Sequence, residues 1–316
     1  MTENKISWVE KYRPSNINDV IDHEENLLIL NTFVKTKKSK NVMFYGPPGT
    51  GKTTTALAYA KKLYGPNYKN MIIEQNGSDD RGIDEIRNNV FSCASAQQID
   101  DSISSIKLII LDECDNMTEN AQYALKSVIQ ATERNARFCL ICNYETKIIN
   151  DLKSLCTPLL FSPISKDKQY NLIKHIAAIE NVNIDNDAIK LIIKLSKGDM
   201  RKSINLLEQL STSNQNEITK DMIYYLIGGL NLNDKATLRN LILDKTITLK
   251  DAILGTLEIK TLNGFTTKDI MNELLEFLPP SIELYDSLAE IEEYQNKDYN
   301  EELFIANLIA RVKNII

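Results

Sequence analysis

Short apolar runs alternate with amphipathic segments along the first half of the chain. The runs have the length and composition of buried strands, and the segments between them repeat apolar residues at helical spacing. The predicted strands are 41–45, 71–75, 106–111, 137–142 and 158–161, and the predicted helices are 24–36, 54–63, 82–96 and 119–131. Because this alternation is typical of a parallel sheet covered on both faces, we expect an α/β domain that binds its ligand at the carboxyl ends of the strands.

From about residue 165 the pattern becomes helical only. The predicted helices are 167–180, 185–196, 199–210 and 220–227, followed by amphipathic helical patterning over 235–316. Asp167, Asp185 and Asp199 suit the first positions of three of these helices. Gly228-Gly229 indicates a further boundary. The pattern therefore predicts three domains, with bounds 1–163, 164–229 and 230–316.

A glycine-rich segment joins the first predicted strand to a helix. Gly46, Gly51, Lys52 and Thr53 have the G-x-x-x-x-G-K-[ST] spacing of a phosphate-binding loop. Glycines let backbone N–H groups face phosphate oxygens, and the dipole of the helix favours negative charge at its N-terminus. Lys52 can reach the outer phosphates, and the Thr53 hydroxyl can ligate Mg²⁺. A chance Gly/Pro turn is the alternative, but the strand before it and the helix after it favour a nucleoside triphosphate site.

Two carboxylates follow the strand predicted at 106–111. Asp112 suits Mg²⁺, which prefers oxygen ligands, and Glu113 can accept a proton from an attacking water. Together with the upstream phosphate loop they indicate hydrolysis rather than binding alone. Asn143 follows the next strand, so its amide could reach the γ-phosphate or the water; a turn-forming Asn is the alternative.

Composition limits the classes of protein that fit. The chain has 316 residues, of which 43% are hydrophobic and 25% are charged, an ordinary composition for a globular protein. Its net charge of −6 argues against a surface that is basic throughout and binds nucleic acid generally. No apolar run is long enough for a membrane span, and residues 1–10 do not form a signal peptide, so we expect an intracellular soluble protein without a membrane partner.

The odd number of cysteines, five, argues against a disulfide framework. Cys139 and Cys142 fall on opposite faces of a predicted strand, which favours core thiols over a metal site, and we expect no metal except nucleotide-bound Mg²⁺.

Five segments of the sequence match motifs of one protein family. They are Trp8-Val-Glu-Lys-Tyr-Arg-Pro14, Glu74-Gln-Asn-Gly-Ser-Asp-Asp-Arg-Gly-Ile83, Leu111-Asp-Glu-Cys-Asp115, Leu140-Ile-Cys-Asn143 and Gly198-Asp-Met-Arg201. Over about residues 8–210 the chain resembles the AAA+ ATPases, and within them the small subunits of the replication factor C type of sliding-clamp loader. The resemblance implies an α/β fold: an AAA+ P-loop parallel-sheet domain (1–163), a helical lid (164–229) and an all-helical collar domain (230–316).

The resemblance also implies a function. The chain would be an ATPase subunit of a heteropentamer that uses ATP and Mg²⁺ to open a ring-shaped sliding clamp and load it onto primer–template DNA during replication. Arg201 would contact the γ-phosphate, although from sequence alone it is an ordinary arginine at a helix start. The expected nucleotide contacts are Tyr12, Arg13, Pro14, Gly46, Pro47, Pro48, Gly49, Thr50, Gly51, Lys52, Thr53, Thr54, Asn143 and Arg201. The expected catalytic residues are Lys52, Glu113, Asn143 and Arg201, and the expected Mg²⁺ ligands are Thr53 and Asp112.

For DNA, the resemblance implies contacts at Arg81, Ile83 and Arg87, with a further contact from Lys126. Arginine side chains and N–H groups at a helix start can hold phosphates, which fixes position rather than sequence. The alternative is that Arg81 and Arg87 are ordinary surface residues. The cell compartment would be the nucleus of a eukaryote, or otherwise the cytoplasm or a virus-infected host cell.

One position departs from the family pattern. The family has Ser-Arg-Cys before the fifth strand, with the arginine reaching into a neighbouring subunit's ATP site, and this chain has Leu155 in that place. The departure leaves open a nucleotide-binding but non-hydrolytic structural subunit. A different AAA+ DNA machine, such as a branch-migration motor or a checkpoint clamp loader, is a third alternative. The Tyr-Arg-Pro element and the helical C-terminal segment argue against a branch-migration motor.

Overall fold

The computed structural model describes most of the chain, in two compact units. The described residues are 6–77, 106–212, 217–227, 229, 232–263, 265–279, 282–283, 285–286, 289–290 and 301–315. The first unit comprises 1–183 with 189–214, and the second comprises 184–188 with 215–316. The helix predicted at 82–96 and the DNA contacts predicted at Arg81, Ile83 and Arg87 lie outside the described residues. The division into three domains stays a prediction.

The first unit contains a parallel sheet of five strands in the order β2-β3-β4-β1-β5. The strands are β1 (Val42–Tyr45), β2 (Ile72–Asn76), β3 (Lys107–Asp112), β4 (Ala136–Cys142) and β5 (Thr157–Leu160). In the register, Val42 of β1 lies between Cys139 of β4 and Thr157 of β5. This order places the carboxyl end of β4 between those of β1 and β3, and it confirms the predicted fold class.

Helices cover both faces of this sheet. Among the described residues, the α-helices that precede its last strand are α1 (Trp8–Lys11), α2 (Glu24–Thr36), α3 (Lys52–Tyr64), α4 (Tyr68–Met71), α5 (Glu119–Ala131) and α6 (Asn150–Lys153). Val42 and Phe44 share a core with Tyr59 of α3, whereas Met43 packs with Leu125 of α5 on the other face. The alternation follows from the two-residue period of a strand.

The paired cysteines of β4 follow the same rule. Cys139 belongs to the core on the α3 face and Cys142 to the core on the α5 face, and both are buried. This confirms the prediction of core thiols. Burial raises the pKa of Cys142 to about 12, so its sulfur stays a protonated, apolar packing group.

After the sheet, the helices and strands that the structure describes are all helices. They are α7 (Lys166–Ile179), α8 (Asn186–Ser196), α9 (Met200–Ser211), α10 (Lys220–Ile227), α11 (Leu232–Leu243), α12 (Leu249–Asn263), α13 (Thr267–Phe277) and α14 (Glu301–Ile315). In the second unit, Leu238 and Ile242 of α11 pack with Ile305 and Leu308 of α14 in a separate core. No helix within the described ranges is both long enough and apolar enough to cross a membrane.

Candidate functional site

A cavity of about 240 Å³ opens near the carboxyl ends of β1, β3 and β4 in the first unit. Most residues predicted from the sequence to bind nucleotide or Mg²⁺ line this one cavity. They are Tyr12, Arg13, Pro14, Pro48, Gly49, Thr50, Gly51, Lys52, Thr53, Thr54, Asp112, Glu113, Asn143 and Arg201. Gly46 and Pro47 lie directly behind the lining, where their carbonyl groups accept hydrogen bonds from Lys52.

The loop lysine is held inside the loop. Lys52 Nζ donates to the carbonyl oxygens of Gly46 (2.7 Å) and Pro47 (2.8 Å), and to Oδ1 of Asn143 (3.0 Å). Helix α3 begins at Lys52, two residues before the predicted start, because Gly51 takes a left-handed conformation (φ 92°) as its N-cap. Burial lowers the pKa of Lys52, opposed in part by the negative charge of Asp112. The ammonium group is therefore fixed where the loop curls around it.

The two predicted metal ligands meet directly. Thr53 Oγ1 donates to Oδ2 of Asp112 at 2.6 Å, and Oδ1 of Asp112 accepts from the backbone N–H of Glu113 at 2.8 Å. A hydroxyl and a carboxylate, with no nitrogen or sulfur donor in the pair, suit Mg²⁺. Glu113 itself has a left-handed backbone (φ 54°), and its carboxylate accepts from Nδ2 of Asn116 at 3.1 Å.

A buried carboxylate supports Asn143 from behind. Asp115 is 7% exposed, and its two oxygens accept from the backbone N–H groups of Asn143 (3.3 Å) and Tyr144 (3.4 Å). Because the backbone at the end of β4 is held in this way, the Asn143 amide can face Lys52. In the sequence, Asp115 stands out only as part of the motif Leu111–Asp115, and no spacing indicates a separate role for it.

Part of the cavity lining comes from the N-terminal segment and from the later helices. Apolar side chains from both parts line it, namely Val9, Val20, Ile21, Ile164, Leu172, Met200 and Ile204. Tyr12 Oη donates to Oε1 of Glu180 at 2.6 Å, and the backbone N–H of Trp8 donates to Glu208 of α9 at 3.1 Å. These bonds fix the segment that carries Tyr12, Arg13 and Pro14. Sequence reasoning missed Glu180, for which no local pattern gives a signal.

The phosphate loop also contacts the start of α9. The backbone N–H of Met200 donates to the carbonyl oxygen of Gly49 at 3.0 Å. A Cβ added at Gly49 would lie 1.7 Å from Oδ1 of Asp199, the N-cap of α9. Only glycine fits this approach, and it places the exposed Arg201 side chain at the cavity.

Two predicted features lie away from the cavity. Lys126 on α5 pairs with Asp151 at 2.6 Å, and its contact with DNA stays a prediction. Leu155 is partly buried and packs against the core on the α5 face, while Lys153 lies 3.9 Å from Glu145. The leucine thus serves packing within this chain.

The sequence and the fold both match known proteins. Residues 42–163 match the family model "ATPase family associated with various cellular activities (AAA)", and 171–212 match "RCF1/5-like, AAA+ ATPase lid domain". A solved structure of the Thermotoga maritima RuvB Holliday junction branch migration motor is 20% identical with a TM-score of 0.54, covering 85% of this chain and 93% of that chain. The class defined by fold and site is therefore the AAA type of P-loop, nucleotide-binding protein, as predicted.

Curated relatives narrow the class. Replication factor C subunit 3 of Schizosaccharomyces pombe is 38% identical over 99% of this chain and 92% of its own length. Replication factor C subunit 5 of Homo sapiens is 38% identical over 96% of this chain and 91% of its own length. Replication factor C subunit 3 of Saccharomyces cerevisiae is 35% identical over 99% and 94%. The chain belongs to the replication factor C subunit family, which confirms the resemblance drawn from its motifs.

Proposed function

We propose that this chain is an ATP-hydrolysing subunit of a sliding-clamp loader, which opens a ring clamp and loads it onto primer–template DNA. The observation that carries the proposal is the direct contact of Lys52 with Asn143 and of Thr53 with Asp112 at one end of the sheet, with Glu113 adjacent. The family of the relatives supports the role in replication. The other subunits of a heteropentamer, the clamp and DNA are the proposed partners.

Each residue has a distinct task in this proposal. Lys52, with the N–H groups of the loop, would hold the phosphates of ATP, and Thr53 with Asp112 would hold Mg²⁺. Bound Mg²⁺ supplies neutralisation of phosphate charge. Glu113 takes the proton of the attacking water, and Asn143 orients that water or the γ-phosphate. Arg201, near the start of α9, would contact the γ-phosphate and so couple ATP binding to the position of α9.

A purified complex tests the proposal. The tagged chain is isolated with its natural partners, and a labelled ring clamp is scored for retention on primed circular DNA after gel filtration. We expect retention that needs ATP and is lost with Lys52→Ala. The matched control is Lys62→Ala on the same helix, because Lys62 bonds Asn18 and Asn31 rather than the phosphate loop. Unchanged loading by the Lys52→Ala complex would contradict a motor role.

Leu155 gives weight to a second candidate, a structural subunit that binds nucleotide without hydrolysing it and does not activate a neighbour. An arginine supplied to a neighbouring site can accelerate phosphoryl transfer by about 10³–10⁵-fold. A packed leucine has neither charge nor donor, and Lys153 is a point charge without a guanidinium fork. The isolated chain is then expected to bind ATP but hydrolyse it very slowly. Robust ATPase activity that rises with the concentration of the isolated chain would exclude this candidate.

Within the complex, two variants separate the candidates. Glu113→Gln should lower clamp loading if this chain's own hydrolysis drives it, and should leave loading unchanged if the chain is structural. Leu155→Arg should raise ATPase activity where a hydrolysing neighbour faces this position. Leu155→Met, which keeps the packing volume and adds no charge, is the control.

A further inference from the structure

The segment before α2 has a strained backbone at two consecutive positions. Asp22 (φ 66°) and His23 (φ 62°) are both left-handed, although neither is glycine. Such conformations persist only where surrounding contacts fix them, and they concentrate at functional sites. Residues 22–26, which comprise these two positions and the first turn of α2, are here called the strap, and their side chains make those contacts.

His23 of the strap contacts the phosphate loop. His23 Nε2 lies 3.2 Å from the carbonyl oxygen of Thr50, and its ring packs on Phe161 with centroids 4.7 Å apart. A carbonyl oxygen only accepts, so Nε2 carries the hydrogen. Burial lowers the pKa of His23, which favours this neutral ring. Thr50 is itself buried, and its hydroxyl donates to Pro47 at 2.9 Å.

Asp22, the residue before His23, contacts the start of α7. The carboxylate of Asp22 accepts from the backbone N–H of Ser165, the N-cap of α7, at 2.9 Å. Its second oxygen lies 3.1 Å from Lys168, which also contacts Glu24. These partners lower the pKa of Asp22, against the effect of partial burial.

The last residue of the strap contacts the sheet. Asn26 is 9% exposed, and its Nδ2 donates to the carbonyl oxygen of Leu160, the last residue of β5, at 2.7 Å. A short, anchored and strained segment thus touches the phosphate loop, the sheet and the first helix after the sheet.

We propose that the strap positions the phosphate loop for nucleoside triphosphate and couples it to α7, with His23 and Asp22 as its two positioning residues. The inference rests on the proposed function, since it assumes that the loop binds ATP. Its particular consequence is that Asp22, whose side chain bonds α7 residues rather than the loop, nevertheless sets nucleotide affinity.

Equilibrium binding of a fluorescent, non-hydrolysable ATP analogue with Mg²⁺ to the full chain tests the coupling. His23→Phe keeps the ring on Phe161 and removes the donor, and Asp22→Ala removes the acceptor for Ser165. We expect each variant to raise Kd about 3–10-fold, the effect of one lost hydrogen bond. His23→Gln, which keeps an amide donor, is expected to restore most of the affinity. Lys37→Ala is the control, because Lys37 is also left-handed (φ 54°) but exposed at the far end of α2.

The double variant decides between a coupled strap and two separate contacts. We expect it to raise Kd no more than the larger single effect, since both residues act through one segment. Multiplied effects, or an unchanged Kd for Asp22→Ala, would overturn the inference. If His23→Phe does not fold, the Asp22→Ala result alone decides. Lys52→Ala separates a failure of this inference from a failure of the proposed function. If analogue binding requires Lys52 but is unchanged by Asp22→Ala, only the role of the strap is refuted. If the wild-type chain does not bind the analogue, the nucleotide site itself is refuted.

Discussion

Substituting alanine at two glycines of the phosphate loop measures how firmly the loop is packed on α9. Gly49 (φ 70°) and Gly51 (φ 92°) are both left-handed, so both substitutions strain the backbone. Their surroundings differ. A Cβ at Gly49 would lie 1.7 Å from Oδ1 of Asp199, whereas a Cβ at Gly51 meets no described atom within 4 Å. Gly51→Ala is therefore a matched control for strain alone.

The expected losses of stability follow from these contacts. A left-handed alanine costs about 1–2 kcal/mol, which is the whole expected loss for Gly51→Ala. At Gly49, Asp199 must move, and it caps α9 by accepting from the N–H of Lys202 at 3.0 Å. Losing a cap costs about 0.5–2 kcal/mol, and losing the 3.0 Å bond from Met200 to Gly49 costs about 0.5–1.5 kcal/mol. Gly49→Ala should thus lose about 2–5 kcal/mol of unfolding free energy.

Tryptophan fluorescence during urea unfolding, without nucleotide, measures the difference. Trp8 is the only tryptophan in the sequence. It is 7% exposed, and its backbone N–H bonds Glu208 of α9, so its signal follows the unit in question. With a slope of about 2 kcal/mol per molar urea, the midpoint of Gly49→Ala should fall about 0.5–1.5 M below that of Gly51→Ala. Equal midpoints would refute the reasoning, because they would mean that Asp199 leaves Gly49 without cost.

Three further predictions concern the site and its partners. Lys52→Ala should abolish binding of labelled ATP, whereas Glu113→Gln should leave equilibrium binding intact and slow turnover, because Glu113 acts only in the hydrolytic step; equally severe losses of binding would show the roles to be misassigned. Arg81→Ala with Arg87→Ala should weaken the salt dependence of duplex DNA binding by the complex. The slope of log K against log salt concentration should change by about 0.9 for each lost phosphate contact, and an unchanged slope would show that neither arginine contacts the DNA backbone. Asp115→Ala should lower kcat by up to about 100-fold, with Asp115→Asn intermediate, because misplacing Asn143 by about 1 Å is that costly; a change in KM alone would show that Asp115 does not act through Asn143.

The sequence predicts the sheet and much of the site because both follow from local rules. Each predicted strand agrees with the structure to within one residue at either end, since every apolar run is short and bounded by polar or turn residues. Parallel strands end at one edge of a sheet, so residues that follow β1, β3 and β4 must lie near one another. That rule brings Lys52, Asp112 and Asn143 together without any knowledge of side-chain contacts.

Contacts between distant single residues could not be predicted. Tyr12 meets Glu180 across 168 positions, and His23 meets Thr50 across 27, with no spacing or motif to signal either pair. The left-handed backbone at Asp22 could not be predicted either, because the residue is not a glycine and tertiary contacts offset the cost of its conformation. Such features belong to the packing of elements, not to the elements.

The hydrogen bonds within the site determine what nucleotide binding must accomplish. Lys52 is 7% exposed and has three oxygen partners within the chain, so the cost of burying its charge is met during folding by Gly46, Pro47 and Asn143. A triphosphate therefore exchanges hydrogen bonds instead of creating them, and the net gain per contact is small. Affinity must then depend on how little the loop moves in that exchange, since ordering a loop on binding subtracts from the gain. The Gly49 contact with α9 and the strap at His23 both restrain the loop through contacts within the chain, which is why we expect residues that touch no phosphate to set the affinity for ATP.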